Sequence, residues 1–179
     1  MKTLGRAILV LIAIVALIIA VAYIDGRTLP ENHSVSITGT VPAAPADVFA
    51  RIVDFAHGNT WRPEVKAVTV LAPDNGRDHW IEDIGHGQTM SFLATRTDPP
   101  SGSDAGARRE VLLDDPNASY GGTWVYELTP GSSPNTTTLR ITETGFIHPP
   151  IYRFVMAHVF GPTKNLDAYM KDIQTSFNK

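Results

Sequence analysis

The stretch 150-PIYRFVMAHVFGPTKNLDAYMKDIQTSF-177 decides how the rest of the chain is read. Its apolar residues are Ile151, Phe154, Val155, Val159, Leu166, Tyr169, Met170, Ile173 and Phe177. Steps of three and four predict a helix with one oily face. Lys164, Asp167, Lys171 and Asp172 fall between them and face water in this reading. Burying each apolar side chain is worth roughly 1.5–3 kcal/mol, so the summed face rivals the whole net stability of a small domain, about 5–15 kcal/mol. Such a face needs a surface to lie on, and the strand-like chain before it supplies one. Gly161-Pro162 interrupts the pattern, because proline lacks an N–H and clashes with the preceding turn. The sequence predicts a kink there, or a short helix followed by a longer one.

The chain has 179 residues, of which 18% are charged, with a net charge of −3 and no basic cluster. Nucleic acid is therefore not an expected partner, since phosphate binding needs concentrated Lys and Arg. The absence of cysteine excludes disulfides, thiolate chemistry and Cys-based zinc sites.

Residues 1–6 carry Lys2 and Arg6, and Ala7 to Ile24 is then an unbroken apolar run of 18 residues. As a helix it is about 27 Å long, against a hydrocarbon core of about 30 Å. As a single-pass anchor it puts Tyr23 at the interface. As a cleaved signal, Ala20-Val21-Ala22 supplies a small-x-small site, and the domain is secreted. The anchor is preferred, because the apolar region of a signal peptide is usually shorter. Lys2, Arg6 and the free amine precede the run, which places residues 1–6 in the cytoplasm and the domain on the outer side. Residues 25–32 are polar, with Gly26 and Pro30, and read as a juxtamembrane linker to a domain at 33–179.

Ser34 to Val41 alternates in polarity and predicts a half-buried strand. A short helix is expected over Ala46 to Phe55, with Val48, Phe49, Ile52 and Val53 on one side. Further strands are expected at Val65–Leu71, Arg77–Ile84, Gln88–Thr97, Arg108–Leu113, Tyr120–Leu128 and Thr136–Ile147. Asp74-Asn75-Gly76, Gly85-His86-Gly87 and the Pro/Gly/Ser-rich Asp98–Gly106 separate them as turns. Short hairpin links imply an antiparallel sheet, and helices kept to one face of it make an α+β fold. A bent sheet gripping one helix leaves space for a ligand between them.

In a strand every second side chain shares a face. That parity groups Trp124 with Tyr126, Leu139 and Ile141 with Glu143, Met90 with Phe92, Arg109 with Val111, and Trp80 with Glu82, while Trp61 heads its strand. The candidate lining is thus Trp61, Trp80, Met90, Phe92, Arg109, Trp124, Tyr126 and Glu143. These aromatics serve equally as plain core or as pocket wall, since Trp and Tyr offer a flat surface and one polar handle. If Leu139 and Ile141 point inward, so does Glu143, which then needs a partner such as Arg109 or Tyr126. His79 and His86 have no metal-binding motif around them, and no metal or cofactor is expected. Three triplets, starting at Asn32, Asn117 and Asn135, fit the glycosylation pattern and are assigned no role.

Pro42-Ala43-Ala44-Pro45-Ala46-Asp47-Val48-Phe49, then Asp54-Phe55 and Trp61-Arg62-Pro63-Glu64-Val65, resembles the opening of the START-like (SRPBCC) superfamily. Gly122-Thr123-Trp124, Thr138 to Gly145 and Pro150-Ile151-Tyr152-Arg153-Phe154 resemble a bacterial, membrane-anchored branch of it. The resemblance covers about His33 to Phe177 and rests on order and spacing rather than on one strong motif. It implies a helix-grip fold, a curved seven-stranded antiparallel sheet around the C-terminal helix, with an apolar cavity between them. It implies no single activity, because the superfamily hosts carriers, cyclases and assembly factors. The expected function is binding or transport of a hydrophobic small molecule or lipid by a membrane-tethered domain, with Asp98–Gly106 and the segment around Trp61 as gates. Two rivals stand beside it. One is a polyketide cyclase or dehydrase, although no catalytic constellation stands out. The other is an interaction module with a filled core.

Overall fold

A computed structural model describes residues 2–102, 105–115 and 118–178. Asn117, which begins one glycosylation triplet, and Ser103 and Asp104 of the expected gate lie outside the described residues. So does Met1 of the expected cytoplasmic terminus.

The seven strands are β1 (Asn32–Val41), β2 (Ala67–Val70), β3 (His79–Gly85), β4 (Gln88–Asp98), β5 (Ala107–Leu113), β6 (Tyr120–Pro130) and β7 (Thr137–Ile147). They form one antiparallel sheet in the order β1-β7-β6-β5-β4-β3-β2. From β2 onward each strand pairs with the next, so the turns expected from sequence are real hairpins. Asn75, Gly76, Gly85, His86 and Gly87 take positive φ there, a backbone region that Gly and Asn tolerate best. Strands β1 and β2 lie at opposite edges. The chain between them, helix α2 (Pro45–Val53) and a 3-10 segment (Phe55–Thr60), must therefore cross the sheet. Pro45 opens α2, where its missing N–H costs nothing. Val48, Phe49 and Ile52 bury the face of α2 that packs on β5 and β6.

The C-terminal stretch divides. Helix α3 (Pro150–Val155) runs into a π-helical segment (Met156–Phe160), Gly161 breaks the chain at φ +85°, and helix α4 (Lys164–Ser176) follows. Of these, α4 is the one that grips the sheet. It buries Leu166, Tyr169, Met170 and Ile173 and lies across β1 and β7. Gly39 of β1 permits this close approach, since a Cβ there would stand 2.7 Å from Met170 Sδ. The expectation that Ile151, Phe154, Val155 and Val159 share the sheet-facing side is thus corrected. Those residues belong to a separate helical unit that packs on the N-terminal helix.

That N-terminal helix, α1, runs from Lys2 to Thr28, about 40 Å. Residues Leu4–Thr28 are long and apolar enough to cross a membrane. Residues 25–28, expected in a linker, are its last helical turn, and β1 begins at Asn32. The junction is tied down. Gly26 meets the Pro150 backbone so closely that a Cβ would stand 1.9 Å from the Pro150 carbonyl oxygen. Arg153, buried, donates Nε to the Gly26 carbonyl (2.8 Å) and Nη1 to the carbonyls of Ile147 and His148 (3.1 Å each). It also pairs with Glu31 at 2.9 Å, and bonds from Arg153 and His148 lower the Glu31 pKa.

Candidate functional site

Alternation in β3 turns Trp80 and Glu82 to the buried side and leaves His79 and Ile81 half-exposed. On the same side, β6 presents Tyr126 and Trp124, and α4 brings down Tyr169. Trp61 and Arg62 follow the 3-10 segment, whose short turns deliver them over the sheet. The result is an interior cluster of aromatic rings around one ion pair. Tyr169 packs against Trp61 (ring centroids 5.3 Å), Trp124 (6.0 Å) and Tyr126 (5.2 Å). Trp80 is stacked between Phe55 (4.4 Å) and Phe92 (5.5 Å).

Arg62 Nη1 and Trp80 Nε1 both donate to Glu82 Oε1, at 2.8 and 3.1 Å. Arg62 Nε donates to Glu64 (2.8 Å), and its guanidinium lies 5.4 Å from the Tyr169 ring centroid. Burial opposes the charge on Arg62, but Glu82, the two phenols and Glu64 outweigh it and raise its pKa. Burial pushes the Tyr169 phenol up to about 12 and the Tyr126 phenol well above its usual value; the two phenols hydrogen-bond to each other. Both are therefore neutral hydrogen-bonding groups at physiological pH. Two polar atoms of the cluster, Trp61 Nε1 and Glu82 Oε2, are buried with no hydrogen-bond partner among the described residues. Such groups cost about 1–3 kcal/mol each until something pairs with them.

The structure brings Trp61, Trp80, Phe92, Trp124 and Tyr126 into one cluster; strand parity pairs Trp124 with Tyr126, and Trp61 arrives from the 3-10 segment. Arg109 is buried beside them, stacked over Trp80 and Phe55 (5.8 and 5.9 Å) and bonded to Asp78 (3.1 Å). Glu143 is not its partner, nor that of Tyr126. Glu143 lies 3.4 Å from His33 of β1 and stands opposite Trp124 in the β6–β7 ladder. Met90 lines a depression of about 260 Å³ with Thr89, Leu113, Asp115, Ala118, Ser119 and Tyr120. A second depression, about 320 Å³, lies at the opposite ends of β4 to β6. Neither includes a residue of α4. Between the sheet and α4, where an open cavity is expected, the described residues place this aromatic cluster. Sequence reasoning passed over Arg62, Glu82 and Tyr169. Glu82 was visible only as the residue two beyond Trp80, and Tyr169 only as one member of an oily face.

Solved structures share this architecture at low sequence identity. A START superfamily protein from Mycobacterium smegmatis is 19% identical, with TM-score 0.60 over 82% of this chain and 97% of that one. The Zhui aromatase/cyclase from a Streptomyces species is 13% identical, with TM-score 0.59 over 82% and 94%. Norcoclaurine synthase from Thalictrum flavum is 12% identical, with TM-score 0.59 over 86% and 90%. No curated protein matches in sequence. The sheet, the gripping helix and the match of residues 32–171 to the corresponding family model agree: the chain belongs to the family described as polyketide cyclase / dehydrase and lipid transport.

Proposed function

We propose that this chain binds a hydrophobic small molecule or lipid between the sheet and α4, in a domain tethered to a membrane by α1. The observation that carries this reading is the pair of unpartnered buried atoms, Trp61 Nε1 and Glu82 Oε2, within an otherwise aromatic interior. One is a donor and the other an acceptor, so a guest with an apolar body and a polar end such as a hydroxyl satisfies both. Admission of the guest requires the aromatic interior to open. Gly161 joins α3 to α4 in a conformation open to glycine and has free space around it, so α4 can lift while α3 stays on α1. The family and its structural neighbours support a hydrophobic ligand in general terms. The positive charges ahead of the apolar run support a cytoplasmic N-terminus and a domain on the outer side.

A cyclase or dehydrase draws on the same residues, with Glu82 beside two phenols as the proton-handling groups. Burial raises both phenol pKa values, so in that reading Tyr126 and Tyr169 act as neutral hydrogen-bond donors. Native against denaturing mass spectrometry of the membrane-purified chain tests the proposal. A mass difference from an apolar guest is expected, and Glu82→Gln should diminish it. If no guest co-purifies and none of a panel of lipids and polyketide-like aromatics alters tryptophan fluorescence, the proposal fails.

A further inference from the structure

Helix α3 and the π-helical segment after it bury one side chain, Arg153. They expose four large apolar ones: Ile151 at 38%, Tyr152 at 54%, Val159 at 64% and Phe160 at 51%. In a water-soluble domain such a run is a liability. Its position is fixed by the junction with α1. Pro150 abuts Gly26, Arg153 donates to the Gly26 carbonyl, and His158 Nε2 lies 2.8 Å from Asp25 Oδ2. The exposed side chains are therefore level with the end of the apolar run of α1, which finishes at Ile24. Tyr23, 45% exposed, stands at the same level.

The charges around this patch have a pattern. Lys164 Nζ sits 3.6 Å from the centre of the Phe160 ring, and the Arg27 guanidinium sits 6.0 Å from that of Tyr23. The nearby carboxylates are already engaged, Asp25 by His158 and Glu31 by Arg153 and His148. Aromatic rings beside cations, at the mouth of an apolar helix, match the headgroup layer of a bilayer. A second copy of the chain fits less well. A stable protein interface buries about 800 Å² per partner, more than four partly exposed side chains supply.

We propose that α3 and the π-helical segment form a second membrane contact, lying in the headgroup layer with Ile151, Tyr152, Val159 and Phe160 toward the acyl chains and Arg27 and Lys164 on lipid phosphates. This rests on the reading of α1 as a membrane-spanning helix. Its consequence is a domain held in one orientation, with the Gly161 break and α4 directly above the lipid, where an apolar guest can pass without crossing water.

The chain has no cysteine, so single cysteines can carry an environment-sensitive fluorophore in the full chain. Tyr152→Cys and Val159→Cys test the patch, Leu17→Cys the span and Asn75→Cys the water-facing hairpin. The labelled proteins are reconstituted in phosphatidylcholine–phosphatidylglycerol vesicles carrying nitroxides at shallow or deep positions on the acyl chain. Labels at 152 and 159 should be blue-shifted and lose emission chiefly to the shallow nitroxide, and the label at 17 to the deep one. The label at 75 should lose emission to neither. Quenching at 17 with labels at 152 and 159 behaving like the one at 75 overturns the inference and leaves the anchor standing. No quenching at 17 overturns both. Shielding of 152 and 159 from aqueous iodide without nitroxide quenching identifies a second protein copy and also overturns it.

Discussion

Arg62 Nη1 and Glu82 Oε1 meet at 2.8 Å across the interior of the domain, with the Glu82 side chain 3% exposed and that of Arg62 18% exposed. The pair joins the segment after α2 to the sheet beneath it. Removing one member leaves the other charged and buried, which costs about 3–5 kcal/mol in general. The partial exposure of Arg62 puts Glu82→Ala near the low end of that range. The paired change Arg62→Met with Glu82→Leu should recover most of the loss, because apolar groups of similar volume need no desolvation offset. Urea unfolding curves read both effects as shifts of midpoint at constant slope. Equal loss in the single and paired variants would show that packing, not charge pairing, dominates here.

Trp61→Phe separates function from stability. It keeps a ring against Tyr169 and removes the unpartnered Nε1 donor. Relief of a buried unpaired group is worth about 1–3 kcal/mol, offset by lost ring area, so the empty protein should hold its melting temperature or gain slightly. Affinity for an apolar guest should fall about tenfold, the equivalent of one hydrogen bond of roughly 1.4 kcal/mol. A titration monitored by the remaining tryptophans, with a thermal melt, checks both. A loss of stability with unchanged affinity would remove Nε1 from the binding site.

The tyrosine pair sets an upper pH limit. Burial raises the Tyr169 phenol from 10.0 to about 12, and Tyr126 moves in the same direction. The folded state therefore holds these protons longer than the unfolded chain does. Their contribution is fully present below pH 10 and is lost as pH rises from there through about 12. A tenfold difference in proton affinity between the two states corresponds to about 1.4 kcal/mol. The loss from Tyr169 alone across that window is then roughly 2–3 kcal/mol. Thermal melts on either side of it should show a steep alkaline fall in the native chain and a shallower one in Tyr169→Phe. A parallel fall in both would assign the alkaline loss to other groups.

Much of this architecture is legible in the residues, and the failures have physical causes. Alternation in Ser34–Val41 and the punctuation at Asp74-Asn75-Gly76 and Gly85-His86-Gly87 suffice for strands and hairpins, because both are local effects. Leu166, Tyr169, Met170 and Ile173 announce a helix face for the same reason. Ile151 and Val159 announce one equally well, yet their face meets no sheet. Periodicity says that a face is oily and leaves open whether protein or lipid covers it. Strand parity puts Glu143 and Glu82 on inward faces alike. What separates them is tertiary: Arg62 closes over Glu82, while Glu143, opposite Trp124 on β6, lies within reach of His33 on β1. Parity also does not say which strands are covered on both faces: Leu93 and Ala94, adjacent residues ahead of the bulge in β4, are both buried.

The contact of Gly26 with Pro150 makes the last prediction. Any side chain at 26 would collide with backbone, 1.9 Å from the Pro150 oxygen, and backbone cannot step aside as a flexible side chain can. Gly26→Leu should therefore part α1 from α3 and break the bond from Arg153 to the Gly26 carbonyl. Helix α3 has six residues, too few to persist without tertiary support. Its amides should then exchange rapidly with solvent deuterium. Those of α4, held by Leu166, Tyr169, Met170 and Ile173 on the sheet, should stay protected. Such a split would mean that the C-terminal stretch is two structural units, one belonging to the gripping fold and one to the anchor. Unchanged protection of α3 in Gly26→Leu would show instead that Arg153, through Ile147, His148 and Glu31, holds α3 in place without help from α1.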